Sequence, residues 1–504
     1  MVKVLFAVSE AAPYVATGGL GQVAGALPKA LTAAYGNDIE VAVVCPMYKS
    51  VRQQFNAAVA GEARARQGGA EVGGQGSGDG AVGSGDGAVS WEFIGETRVQ
   101  LAWRNEYLGV FKADNGVTVY FVDNMRYFDR EDSYGYFDDG ERFAFFCKAV
   151  FSVIEMTGFV PDVIHAHDWQ SALVPIYLKT RFADRYANVR SVFTIHNVEY
   201  QGKFSPDILN DVLDLRENER GMVTWDNCIN LMKGAIVCCD RLTTVSPSYS
   251  LELQDYGGYG LEPIIRENRY KLSGIINGID TEIYNPATDK EIFANYSVDS
   301  PEGKTRDKER VQRHFGLPVK RDVPLICVIS RLVAHKGIDL ITQIAPDLMQ
   351  MDLQFLLLGT GDYWYTSFFE QLAHEHPDKV GVSISYNAEI ASMIYAGADI
   401  MLMPSKSEPC GLAQMIACRY GTIPIVRKVG GLKDTITDCR GGEGNGFTFL
   451  DYNAGELLFT VKKAIELYTC KRDSWRNLMR EAMRSDFSWT VSAGKYMELY
   501  GGLV

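Results

Sequence analysis

Short apolar runs with strand character alternate with helical patterns along most of this chain, and that alternation constrains its fold more than any other feature. Such a succession commits a chain to parallel sheets covered by helices. In the first half the runs are Val2–Ser9, Ile39–Cys45, Val163–Ala166, Val192–His196 and Arg241–Ser246. In the second half they are Leu325–Ser330, Leu353–Leu358, Val380–Ser385, Ile400–Pro404 and Ile423–Val426. Helical patterns at Ile338–Met349, Tyr365–His376 and Leu412–Tyr420 lie between them, while Leu272–Ser300, with Asn277-Gly278 and Asn285-Pro286, reads as a junction. The 504 residues exceed what one core usually spans. The expected fold is therefore α/β, with two Rossmann-like domains whose parallel sheets face each other across a cleft. The boundaries are drawn at 1–271 and 272–484, with a C-terminal segment, 485–504, packing back on the first domain.

One segment breaks the alternation. Gly61–Ser90 is rich in Gly, Ala and Ser and repeats the heptapeptide GSGDGAV at Gly76–Val82 and Gly83–Val89. Such a composition buries too little apolar surface to offset its ordering entropy, so a disordered insert is expected over about 61–90.

A net charge of −13 argues against nucleic acid or an anionic membrane as partner and suits a neutral polymer or a small metabolite. Ten scattered cysteines include the adjacent pair Cys238-Cys239 but no CxxC and no zinc-like Cys/His spacing. That usage fits a reducing compartment without a disulfide framework. No apolar run approaches the roughly 20 residues that span a bilayer. A strand beginning at Val2 leaves no room for a transit peptide, so a soluble cytoplasmic protein is expected.

The chemistry concentrates at strand ends. The run Pro324–Ser330 leads straight into Arg331, and Lys336 precedes the helical pattern Gly337-Ile-Asp-Leu-Ile. Two cations at a strand end and a helix start make a cavity suited to a diphosphate. By itself the pair is equally a surface Arg and Lys. The first strand-to-helix turn, Ser9 to Gly25, carries Gly18, Gly19 and Gly21, which let backbone N–H groups approach a phosphate or sugar. It lacks GxGxxG spacing, and no acidic residue closes a ribose-binding second strand, which disfavours a dinucleotide site.

The phrases SEAAPYVATGGLGQVAGALPKAL, HAHDW, HNVEYQGKF, INGIDTEIYNP, SRLVAHKGIDL, PSKSEPCGL and VRKVGGLKDT, in order from Val2 to about Leu450, resemble the bacterial glycogen synthase and plant starch synthase family. The resemblance implies a GT-B fold. It also implies transfer of glucose from ADP-glucose to the non-reducing end of an α-1,4-glucan such as glycogen, with retention of configuration and neither metal nor cofactor. The alternatives are a non-catalytic glucan-binding paralogue or another GT-B glycosyltransferase with a different nucleotide-sugar donor.

By that resemblance Arg331 and Lys336 neutralise the departing diphosphate, a task that the absence of an Asp-x-Asp strand-end motif leaves to side-chain cations. Glu408 faces the donor glucose, where a carboxylate steadies an oxocarbenium-like centre, unless it merely caps the helix behind it. His196 lies near the glucose 6-hydroxyl, and Asp168 at the donor-sugar and acceptor side. Asn277 lines the cleft toward glucose and Tyr386 toward the nucleotide, or they are a turn residue and a core aromatic. The turn Ala16, Thr17, Gly18, Gly19 and the phrase Cys410, Gly411, Leu412 are expected to line the substrate, Cys410 by packing. His165 and His167 share a strand face, but no further Cys/His cluster accompanies them to hold a metal. Two departures stand out: Ala16 replaces the family's usual lysine, and Gln22 its usual aspartate. They bear on donor affinity and on strictness for ADP over UDP.

Overall fold

A computed structural model describes residues 1–68, 89–385, 387–441 and 443–504. The chain divides into two compact units. The first comprises residues 1–244, 253–273 and 492–504, the second residues 245–252 and 274–491. The second unit thus begins with a short stretch before the expected junction and runs on to Val491, and the chain returns to the first unit at Ser492 rather than 485.

The first unit holds a nine-stranded sheet. Its strands lie in the order Leu272–Gly274, Arg241–Thr244, Arg190–Ile195, Val163–His167, Val2–Ala7, Ile39–Pro46, Thr118–Asp123, Arg104–Asp114 and Ser90–Leu101. The six from Arg241–Thr244 to Thr118–Asp123 run parallel. They are buried on both faces, which explains why they read as unbroken apolar runs. The last two strands form an antiparallel hairpin on the edge. Hydropathy does not announce that hairpin, because Ser90–Leu101 leaves most of its side chains exposed or half-exposed and mixes in Glu92, Glu96 and Arg98. The helix Asp139–Thr157 packs Phe143, Phe145, Phe146 and Phe151 into the core. At the proposed insert, the helix Lys49–Gly68 carries through its start, and a strand already begins at Ser90. Residues 69–88, with the heptapeptide repeat, lie outside the described residues.

The second unit holds a six-stranded, wholly parallel sheet. Its order is Val380–Ser383, Gln354–Leu358, Leu325–Ile329, Ile400–Met403, Ile423–Arg427 and Phe447–Phe449. Among the parallel strands of each sheet the order reverses once. The reversal lies between Val2–Ala7 and Val163–His167 in the first, and between Leu325–Ile329 and Ile400–Met403 in the second. At such a point the connections leave to opposite sides and open a notch at the carboxyl ends of the strands, where ligands of open α/β sheets bind.

A buried lysine ties the second unit together. Lys304 Nζ donates to the carbonyls of Ala396 (2.9 Å) and Tyr420 (2.9 Å) and to Thr422 Oγ1 (2.9 Å). Lys304→Met should therefore cost about 3 kcal/mol or more, because it strips the donor from acceptors that stay buried. Urea unfolding reads that loss, and a change within ~0.5 kcal/mol would mean the carbonyls find other partners.

Candidate active site

Most candidate residues of each unit sit at that unit's own strand-order reversal. In the first unit the strand Val2–Ala7 feeds the glycine-rich turn, and Val163–His167 feeds Asp168. Glu10, only 3 % exposed, organises the turn. Its carboxylate accepts from Thr17 N (2.6 Å), Thr17 Oγ1 (2.5 Å), Gly18 N (3.3 Å) and the Tyr134 hydroxyl (2.7 Å). The helix Gly19–Tyr35 has no side-chain cap of its own at Gly18, so Glu10 supplies the anion that its dipole favours. Sequence reasoning missed both Glu10 and Tyr134. The one available signal was an acid shortly after a largely apolar strand. Ala16, Thr17, Gly18, Gly19 and Gln22 are exposed.

Asp168 and His196 follow neighbouring parallel strands and meet. Asp168 Oδ1 accepts from the backbone N–H of His196 (2.8 Å) and of Asn197 (3.4 Å). Asp168 has φ 55°, a left-handed backbone uncommon for a non-glycine residue and typical of functional turns. Burial pushes its carboxyl up to about 7, against the pull of those two N–H groups and with a further push from the Glu10 charge.

Behind them three imidazoles form a column. The rings of His165 and His167 lie 4.0 Å apart, on one strand face as their spacing implies. His167 Nδ1 is 3.0 Å from His196 Nε2. Both His165 nitrogens are engaged, Nδ1 with the Tyr500 hydroxyl (2.7 Å) and Nε2 with Thr194 Oγ1 (2.6 Å), so neither lone pair points at a metal position. Among the described residues no group of three or more His, Cys, Asp or Glu is arranged to hold a metal ion. Burial lowers His165 and His167 well below the ordinary imidazole range and His196 to about 3, which leaves all three neutral.

In the second unit Arg331 and Lys336 leave the strand Leu325–Ile329, and Glu408 leaves its neighbour Ile400–Met403. Glycines allow close packing around the Glu408 loop. Gly337 has φ 73°, and a Cβ there would lie 2.1 Å from the Pro404 carbonyl oxygen; a Cβ at Gly430, φ 44°, would lie 2.1 Å from that of Glu408. This close approach puts Lys336 on Glu408. The ammonium donates to Oε1 (2.8 Å) and Oε2 (2.7 Å), and Ser405 Oγ adds a third bond to Oε2 (2.9 Å). Glu408 is therefore not a helix cap. The helix behind it starts at Ala413, with Leu412 at its N-cap and no acid in its first turn.

An ammonium has three donors, so Lys336 keeps one for another anion. Arg331 is exposed, and among the described residues its guanidinium has neither a hydrogen bond nor an ion pair. Asn277 is buried, its Oδ1 has no hydrogen-bond partner among the described residues, and its backbone N–H faces the Cys410 thiol. Burial pushes that thiol up to about 12, so Cys410 stays protonated and packs, as its sequence context implies. Gly411 and Leu412 are half-buried beside it. Tyr386 lies outside the described residues.

The imidazole column gives stability a pH dependence. Three depressed imidazoles stabilise the fold above about pH 6.5 and lose that contribution as pH falls, because the unfolded chain takes up protons that the folded chain refuses. Asp168 acts oppositely, since its raised carboxyl binds a proton in the folded chain from about pH 7 downward. Between about pH 6 and 4 the three imidazoles outweigh the one carboxyl, so stability should fall as pH falls through this range. Denaturant unfolding at several pH values checks the slope, and His165→Gln should flatten it by about one proton.

The comparisons with known proteins agree with this arrangement. A family model described as starch synthase catalytic domain matches residues 3–267, and one described as glycosyl transferases group 1 matches residues 310–482. The chain is 42 % identical to a glycogen synthase of Bacillus cereus (strain ATCC 10987 / NRS 248) over the whole of both chains. It is 43 % identical to that of Geobacillus thermodenitrificans (strain NG80-2), covering all of this chain and 98 % of the other. Among solved structures, the catalytic domain of starch synthase IV from Arabidopsis thaliana, bound to ADP and acarbose, superposes with a TM-score of 0.85 at 30 % identity. That match covers 100 % of this chain and 99 % of that one. A sucrose-phosphate synthase from Thermosynechococcus elongatus, 18 % identical with a TM-score of 0.58 over 100 % of this chain and 99 % of that one, shares the fold. Among the described residues no helix is long and apolar enough to cross a membrane. With its two parallel-sheet units matched in order and its full length aligned to glycogen synthases, the chain belongs to the glycogen and starch synthase family and has the GT-B fold.

Proposed function

We propose that this chain is a glycogen synthase that transfers glucose from ADP-glucose to the non-reducing end of an α-1,4-glucan, with retention of configuration and without a metal ion or cofactor. The observation that carries this reading is the pair of cations at the strand-order reversal of the second sheet. Arg331 is unpaired among the described residues, and Lys336 is braced on Glu408. The family relationship and the ADP-bound starch synthase likeness supply the class of donor.

In the reaction the bond between glucose C1 and the diphosphate oxygen breaks and a bond from C1 to the acceptor hydroxyl oxygen forms, with the hydroxyl proton released. Charge grows on the departing ADP, and positioned cations acting on growing charge usually contribute most to catalysis. Arg331 brings five undiverted donors to that charge. Lys336 is a shared cation: one face holds Glu408 rigid and the remaining N–H serves the diphosphate. Glu408, fixed by three hydrogen bonds, is poised to steady positive charge at C1. Asp168, His196, Asn277 and the turn Ala16–Gly19 complete the sugar and diphosphate contacts in this reading, with Tyr386 toward the nucleotide.

Purified protein incubated with glycogen, EDTA and radiolabelled ADP-glucose or UDP-glucose tests the proposal; label entering glycogen from neither donor would sink it. Arg331→Ala and Lys336→Ala should each lower turnover by about 10²–10³. Only Lys336→Ala should also lower stability, by about 1–3 kcal/mol, because it leaves the Glu408 carboxylate buried without its cation. Near-normal turnover in both at saturating donor would assign the cations to the surface.

The missing first-turn lysine yields a separate measurement. Position 16 is exposed, so Ala16→Lys has room to extend an ammonium beside Thr17-Gly18-Gly19. Donor titration should show binding tightened by up to about tenfold, or ~1.4 kcal/mol. Equal or weaker binding would mean that this pocket is built to work without the cation.

A further inference from the structure

The column of histidines fixes where a proton sits. His167 and His196 share a single short contact, Nδ1 to Nε2 at 3.0 Å, and one of the two must donate across it. Both rings are held neutral by burial, so each carries one proton. The second nitrogen of His167, Nε2, is buried and among the described residues has no hydrogen-bond partner. If His196 donated, the His167 proton would be forced onto that nitrogen, leaving an N–H buried with no acceptor, which folded proteins almost never tolerate. If His167 donates, its buried nitrogen keeps only a lone pair. The His196 proton then moves to Nδ1, which has no protein partner among the described residues.

We infer that His167 is a positioning residue that locks His196 in the Nδ1–H tautomer, so that His196 meets its ligand only as a hydrogen-bond donor. The inference rests on the proposed placement of His196 against the donor sugar, and it adds the direction of that contact. A sugar hydroxyl there accepts from His196, and its own proton is turned toward another acceptor. Which nitrogen of a histidine carries the proton is set by the hydrogen bond that its other nitrogen makes. Phe6, stacked on His167 with centroids 5.3 Å apart at 19°, and His165 on the same ring restrict its rotation, so the register with His196 is kept.

Two measurements test this. Nitrogen-15 NMR of the full chain labelled at histidine, with His196→Gln to assign the resonance, should show His196 protonated at Nδ1 and bare at Nε2, with or without transfer activity. The reverse pattern overturns the inference, and it does so even if the glucosyltransferase reading fails. The kinetic arm uses two substitutions with opposite expectations. The amide nitrogen of Asn takes the place of Nδ1, whereas the longer Gln resembles His in size but presents its amide at the Nε2 position. His167→Asn should keep kcat within about threefold, and His167→Gln should lower it by about tenfold or more with a smaller change in donor KM. If Gln is the milder change, His167 only fills space and the inference falls. Should either variant fail to fold, the NMR pattern of the unmutated chain still decides.

Discussion

Both halves of this molecule depend on one constraint, that a parallel sheet must be covered on both faces and cannot fold back on itself with a short turn. Each connection must cross by a helix, and when the chain has filled one side of its first strand it has to begin again on the other. The notch this leaves is a by-product of winding, yet it receives the loops after Val2–Ala7 and Val163–His167 in one unit, and after Leu325–Ile329 and Ile400–Met403 in the other. Every candidate side chain named above, apart from Asn277 and Tyr386, comes from those four loops or from the strand next to them. Within each unit these residues are placed by topology before any particular side chain is chosen.

Within the notches, charge is handled by confinement. Lys336 and Glu408 hold each other in place, and Glu10 gathers two backbone N–H groups and two hydroxyls. Few of these groups are left to be ordered by a ligand. Arg331 is the exception, an exposed cation whose guanidinium has no partner among the described residues. That contrast between a braced carboxylate and a waiting guanidinium is what an enzyme needs when the same site must grip a sugar and release a diphosphate.

Much of this was legible in the sequence, because buried parallel strands are continuous apolar runs and the residues ending them stand out. Arg331, Lys336, Glu408, Asp168 and His196 all follow such runs. The resemblance to a known family added the chemistry that spacing alone left open at Arg331 and Lys336. What stayed hidden were features whose cause is tertiary. The edge hairpin Ser90–Leu101 with Arg104–Asp114 is amphipathic and half solvated, so its hydropathy resembles that of a loop. The helix Lys49–Gly68 runs into a stretch whose composition suggests no structure at all. Glu10 reads as an ordinary acid until the turn folds over it. The second nitrogen of His167 becomes informative only once its surroundings are known to hold no partner.

The return of the chain at Ser492 has a consequence for how the protein is made. Tyr496 and Tyr500 are fully buried in the first unit, and the Tyr500 hydroxyl meets His165 across 335 residues of sequence. As the chain leaves the ribosome the first unit emerges early, but its core lacks its last helix until the whole second unit has been synthesised. Through that interval the pocket that will hold those two tyrosines is open, and His165 lacks the partner for Nδ1. A stalled or truncated message would therefore release not one finished half but a first unit missing part of its interior, and quality-control proteases would meet it in that state.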